Sequence, residues 1–205
     1  DSELEKLMIT AIASDSRGNL WVATSEGLFF YDTQYHRTKI EHVPAVRSVF
    51  VDRNDTVWLG TYNSGLYRCQ NGELSRFSRA DGLASDSVLC FAESGDGSLW
   101  IGTSDGLTQL SDLTFPTLSL ADGLVHESAL CVAPATDGGL WVGTPEGLSF
   151  FRDGHFSNFG TAKVDGFTSP WIKRIRPLKN GDLLLFGAKK NIDLFSAGKV
   201  TATWQ

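Results

Sequence analysis

One short phrase recurs along this chain of 205 residues at nearly constant intervals. It reads GNLWVATSEGLFFY from Gly18, DTVWLGTYNSGLYRC from Asp55, GSLWIGTSDGLTQL from Gly97 and GGLWVGTPEGLSFF from Gly138. The tryptophans that anchor it, Trp21, Trp58, Trp100 and Trp141, stand 37, 42 and 41 residues apart. A fainter fifth copy, GDLLLFGAKKNIDLF from Gly181, has Leu184 at the tryptophan position, 43 residues after Trp141. A fixed period near 40 makes each copy one supersecondary unit that cannot bury its apolar surface alone and must stack on its neighbours.

Within a copy the order is constant. A run of about seven residues, partly β-branched, comes first: ITAIASD, VRSVFVD, VLCFAES, ALCVAPA or IKRIRPL. Such runs are too short for a helix and suit a buried strand. A turn rich in Asp, Gly and Asn follows, then the tryptophan strand, then a turn ending at Gly27, Gly65, Gly106 or Gly147. Asn191 stands there in the fifth copy, and Asn is the next best residue for a left-handed backbone. A third strand follows, and often a fourth after a Gly turn, as in NGELSRF, DGHFSNF and AGKVTATW. Four short strands every 40 to 45 residues, with an aromatic and glycine signature, predict an all-β chain folded as a β-propeller of five four-stranded blades. A solenoid would have shorter or helical repeats. The repeats, 7–41, 42–83, 84–124, 125–167 and 168–205, fill the chain as one domain. The ring either closes with five blades, is a fragment of a larger propeller of the seven-bladed type, or is completed by a second chain. Five whole repeats end to end favour closure within one chain.

A residue that recurs in every copy solves a problem that recurs in every copy. Trp21, Trp58, Trp100 and Trp141 are therefore expected to be buried between adjacent sheets and not to touch a ligand. The GT pairs (Gly60-Thr61, Gly102-Thr103, Gly143-Thr144) and the Asp-Gly turns are structural on the same logic. Cys90 and Cys131 hold one repeat position where Ala11, Ser48 and Arg174 stand in the other copies; the position is small in most copies, so they read as small core fillers. Three cysteines cannot all pair internally, and their spacing is not that of a zinc site. His36, His42, His126 and His155 show no metal spacing either, and no cofactor or metal is expected.

A net charge of −6 argues against nucleic acid as a partner. The one basic cluster, Lys173, Arg174 and Arg176, reads as a locally charged strand. No apolar run reaches 18 residues, so neither a transmembrane helix nor membrane contact is expected. The start, DSELEKLMIT, is no signal peptide and lacks an initiator Met, as a mature or excised segment would.

The stretches ADGLASDSVLCFAESGDGSLWIGTSDGL (Ala80 to Leu107) and ADGLVHESALCVAPATDGGLWVGTPEGL (Ala121 to Leu148) resemble the two-component regulator propeller repeat. The first two copies fit from Asp15 and Asp52 onward, and the fifth departs by lacking both Trp and GT. The resemblance implies the periplasmic input region of a bacterial membrane-spanning sensor. In the intact protein a histidine kinase, often hybrid, or a diguanylate cyclase would be attached. It further implies a small-molecule ligand, carbohydrate in many such sensors, and contact with other domains of the same receptor. Five repeats depart from the seven usual in that family, and a homodimer is one remedy.

Function has to be sought in residues that break the repeat, since a fold does not fix an activity. The loops before each innermost strand and the turns between second and third strands share one face. Thr10, Arg47, Leu89, Leu130 and Lys173 are expected to point toward the channel. Glu26, Asp105, Glu146 and Lys189-Lys190 lie on turns of that face. Arg47, Tyr62, Asn63, Asp86, His126, Glu127, Trp171 and Lys173 form the candidate site, a mixed polar and aromatic set able to hold a sugar or a small anion. Asp86 and Glu127 are the one obvious carboxylate pair, which leaves open a five-bladed glycosidase-like or other propeller enzyme. No nucleophile or metalloprotease motif accompanies them, so the segment is expected to lack catalysis. A pure interaction scaffold is the third reading.

Overall fold

The computed structural model of the chain describes residues 7–70, 72–111, 116–160, 166–188 and 191–204. Twenty strands form five four-stranded antiparallel sheets, and each sheet falls within one repeat. Blade 1 is β1 (Ile9–Ser14), β2 (Leu20–Thr24), β3 (Gly27–Tyr31) and β4 (Arg37–Ile40). Blade 2 is β5 (Val46–Val51), β6 (Val57–Thr61), β7 (Leu66–Gln70) and β8 (Glu73–Phe77). Blade 3 comprises β9 (Val88–Glu93), β10 (Leu99–Thr103), β11 (Gly106–Leu110) and the short β12 (Thr117–Leu118). Blade 4 comprises β13 (Cys131–Pro134), β14 (Leu140–Thr144), β15 (Gly147–Arg152) and β16 (His155–Phe159). Blade 5 comprises β17 (Ile172–Pro177), β18 (Leu183–Gly187), β19 (Ile192–Ser196) and β20 (Lys199–Trp204).

The inner strands pack in the order β1, β5, β9, β13, β17, and there the series stops: the sheets are not closed. Closure within one chain, which whole repeats had favoured, is not what forms. The count of blades is right, but blade 5 does not return to blade 1.

Alternation along each second strand decides what fills the seams. Val57 and Leu59 look back at blade 1, while Trp58 looks forward at blade 3 among Leu83, Val88 and Ile101. Trp100 likewise meets Ala129, Leu140 and Val142 of blade 4. Trp58 and Trp100 are each 5% exposed, as expected of seam fillers. Trp21 and Trp141 are only half-buried. Directly across the strand pair from them stand Phe30 and Phe150, with ring centroids 4.8 and 4.4 Å away. Two rings there share the space that one fills opposite Arg68 and Gln109.

The GT threonines are buried and each closes its own hairpin. Thr24, Thr61, Thr103 and Thr144 donate Oγ1–H to the carbonyls of Gly27, Gly65, Gly106 and Gly147 at 2.7 to 3.1 Å. The glycine before the threonine has a different task. A Cβ on Gly102 would sit 2.6 Å from the carbonyl oxygen of Ala129 on the next blade. One on Gly143 would lie 2.8 Å from Ile172, and one on Gly60 2.7 Å from Val88. In the fifth copy four residues separate β18 from β19, as four separate β6 from β7, and Asn191 is the last of them. Two SxxDG segments, Ser78–Gly82 and Ser119–Gly123, form single 3-10 turns between blades, each a reciprocal Ser–Asp capping box ended by a left-handed Gly.

Candidate functional site

The loops before the inner strands and the turns between second and third strands do lie together. Ser25 N donates to Met8 O at 3.0 Å, Gly65 N to Asp86 O at 2.9 Å and Ser104 N to Ser87 O at 3.1 Å. Four inner strands begin with an irregularity that ejects one residue from the pairing: Thr10, Arg47, Leu89 and Lys173. A bulge leaves its extra residue unpaired and re-aims it, which is how these side chains come to differ in direction from their neighbours. Leu130 stands at the same step ahead of β13.

The eight candidate residues come from the approaches to the inner strands and the adjoining turns of blades 2 to 5. Arg47 and Tyr62 meet: the guanidinium carbon lies 5.5 Å from the ring centroid, and Tyr62 is 39% exposed. Asn63 is exposed beside it. Asp86 is spoken for, since its Oδ1 accepts the Arg79 amide at 3.0 Å and its carbonyl ties down Gly65. Glu127 is exposed. The Nδ1 of His126 accepts the Ser128 amide at 2.9 Å. Trp171, 45% exposed, and Lys173, exposed, belong to the approach to β17. Lys189 and Lys190 lie outside the described residues.

Three features of this face escaped sequence reasoning. Arg79 and Asp105 form an ion pair at 2.9 Å. Ser85, Ser104 and Ser128 link blades 3 and 4: Ser85 Oγ and Ser104 Oγ are 2.8 Å apart, and Ser128 Oγ donates to Ser104 O at 2.9 Å. Asn191, 4% exposed, has neither side-chain atom in a hydrogen bond. It is adjacent to Gly187 and, through it, to buried Ser169, whose Oγ accepts the Trp171 amide at 3.3 Å. An asparagine where four copies have glycine was the available signal.

The opposite face carries clefts in the seams. One of about 600 Å³ is lined by Asp52, Trp58, Arg68, Asp96, Ser98 and Gln109. Two of about 360 Å³ occupy equivalent places beside Trp21 and Trp100. Both carboxylates of the larger cleft are engaged, Asp52 by the Trp58 indole at 2.8 Å and Asp96 by Ser94 and Ser98. These hydrogen bonds, that from Ser94 foremost, hold the Asp96 carboxyl below its usual range. The thiols of Cys90 and Cys131 donate to the carbonyls of Ala129 and Ile172 on the next blade. Burial pushes the Cys131 thiol up to about 12. No group of three or more His, Cys, Asp or Glu placed to hold a metal occurs among the described residues, and no helix there is long and apolar enough to cross a membrane.

Sequential four-stranded antiparallel sheets stacked through their inner strands define a β-propeller array. Two of its stretches, residues 4–26 and 82–105, match the model of the two-component regulator propeller. Solved structures agree in fold. The extracellular domain of the hybrid two component system BT3049 from B. thetaiotaomicron superposes with a TM-score of 0.76 at 23% identity over 89% of this chain and 26% of its own. That of BT4673 from the same organism gives 0.75 at 20% over 91% and 27%. Virginiamycin B lyase from Staphylococcus aureus gives 0.76 at 11% over 96% and 69%. At these identities the likeness is one of fold. The chain spans about a quarter of the length of the two sensor domains. No curated protein matches it in sequence.

Proposed function

We propose that this chain is a ligand-binding, non-catalytic propeller module of a signal-transduction receptor, exposed outside the cytoplasm and reading a carbohydrate or a similar hydroxyl-rich small molecule. The observation that supports it most is the corner of blade 5 where the repeat breaks. Trp171 offers an exposed ring, Ser169 a hydroxyl, and Asn191 a buried amide with two donors and an acceptor unused. An exposed aromatic ring face is what the apolar face of a sugar ring stacks on, and a few polar groups in the same corner orient its hydroxyls. The likeness to extracellular sensor domains supports the setting. The engagement of Asp86 by the Arg79 amide counts against an acid–base pair with Glu127.

The test is calorimetric titration of the chain with a panel of neutral and acidic oligosaccharides, together with chromogenic glycosides as turnover substrates. Binding without turnover is expected. Trp171→Ala should weaken it up to about tenfold, the equivalent of ~0.5–1.5 kcal/mol for a lost ring contact. Turnover of any glycoside, or affinity indifferent to both Trp171→Ala and Asn191→Ala, overturns the reading.

A further inference from the structure

The seam between blades 2 and 3, both interior to the array, departs from its neighbours. Its cleft holds about 600 Å³, against about 360 Å³ in the clefts beside Trp21 and Trp100. Across the strand pair from the tryptophan, blades 1 and 4 carry Phe30 and Phe150, but blade 2 carries Arg68. A ring at that step only packs; a guanidinium brings a half-buried charge that needs a partner.

Arg53 and Arg68 both belong to blade 2, and only the first is matched. Arg53 pairs with Glu93 and donates its Nη1 and Nη2 to the carbonyls of Gly95 and Ser94 across the seam. The guanidinium carbon of Arg68 lies 5.9 Å from the centroid of the Phe77 ring. Arg68 makes no hydrogen bond or ion pair with any described residue. A guanidinium resting on a ring keeps its N–H groups free for an acceptor in the ring plane.

The two carboxylates that line the same cleft do not supply that acceptor, because their own turns hold them. Asp52 accepts the amides of Asn54 and Thr56 at 2.9 Å and the Trp58 indole at 2.8 Å. Asp96 accepts the hydroxyls of Ser94 and Ser98 and the Ser98 amide. A carboxylate offers about four acceptor sites, so each keeps lone-pair capacity for one more donor. The hydrogen bonds from Ser94 and Ser98 hold Asp96 below the usual carboxylate range, and it is ionised at neutral pH. An unmatched cation and two fixed anions therefore share one small space. A plain anion would satisfy Arg68 and be repelled by Asp52 and Asp96, and a dianion more so. A plain amine would meet the carboxylates and be repelled by Arg68. A ligand carrying both signs meets all three favourably.

We propose that the cleft between blades 2 and 3 is a binding site for a zwitterionic α-amino acid, with Arg68 taking its carboxylate and Asp96 its ammonium. The guanidinium fork offers a carboxylate two parallel N–H donors. Ser98 and Gln109, hydrogen-bonded to each other at 3.1 Å, are the neutral polar groups of the lining. The volume is in the range of small-ligand sites. The site lies on other blades, and on the opposite face, from the corner around Trp171, and it does not depend on the ligand reading given there.

The test is calorimetric titration of the intact chain with L-serine, N-acetyl-L-serine, which lacks the ammonium, and L-serinamide, which lacks the carboxylate. L-serine should bind, and each blocked form should bind about tenfold more weakly or worse. The blocked forms probe the pairing without altering the protein. Arg68→Gln and Asp96→Asn should each weaken L-serine about tenfold or more, with Arg68→Lys between Arg68→Gln and the unaltered chain. A melting curve for each variant shows that its fold is intact. No binding of L-serine at millimolar concentration overturns the proposal. So does equal binding of either blocked form, displacement of L-serine by inorganic phosphate, or affinity indifferent to Arg68→Gln in a folded variant.

Discussion

Trp58 and Trp141 carry the same letter and the same repeat position, yet only the first fills its seam alone. Trp58→Ala empties a space bounded by Leu83, Val88 and Ile101 and should cost about 3–5 kcal/mol. Trp21→Ala and Trp141→Ala should cost less, since Phe30 and Phe150 remain beside the vacancy. Urea titration of the three variants gives the order directly; equal losses would mean that the paired phenylalanines carry no packing of their own. Cysteine supplies the second test at this scale. The Cys90 and Cys131 thiols are raised by burial first of all, from an ordinary 9.0. A raised thiol leaves folding unaffected below pH 9, where both states hold the proton. The unfolded chain gives up its proton above that, and stability falls as pH rises toward about 12. Replacing both cysteines by Ala, the residue of blade 1, should flatten the decline in melting temperature between pH 8 and 10.5. An unchanged slope would show that the thiols stay reachable by water.

The seam glycines act through their elements. Gly102→Ala must push β10 away from the start of the fourth blade, because the new Cβ meets, besides the still nearer Cys90 sulfur, the Ala129 carbonyl oxygen at 2.6 Å, which has no rotamer to change. A loss of about 1–3 kcal/mol is expected by chemical denaturation, whereas Gly95→Ala, with nothing within 4 Å, should lose far less. Strands and blades were legible because a 40-residue period and a two-residue alternation sum over many positions. The repeat also set Thr10, Arg47, Leu89 and Lys173 apart as one equivalent step, and that is the step at which the strand pairing is interrupted. The Ser85–Ser104–Ser128 link and the Arg79–Asp105 pair join segments about twenty residues apart or more, through side-chain directions that no local pattern encodes.

For the molecule as a whole, an unclosed array means that its blades are not equivalent. Blades 2, 3 and 4 pack against a neighbouring blade on both faces and blades 1 and 5 on one each, so local opening should begin at the ends. Amide hydrogen exchange is expected to be slowest in β6, β10 and β14 and faster in β2 and β18. Uniform protection across all five second strands would indicate a ring that closes in solution.

Among the described residues no strand is exchanged between blades; each sheet is completed by consecutive strands of its own repeat. The consequence is mechanical. Under a load applied to its two ends, the array has no clasp that must break before anything else can move, and blades can detach singly from either end. Each release frees roughly 40 residues, or about 130–145 Å of slack at ~3.3–3.6 Å per residue. A force–extension trace should therefore be a saw-tooth of near-equal steps, with the interior blades holding longest. A single drop spanning the full contour length would mean that the seams, rather than the blades, set the unit of resistance.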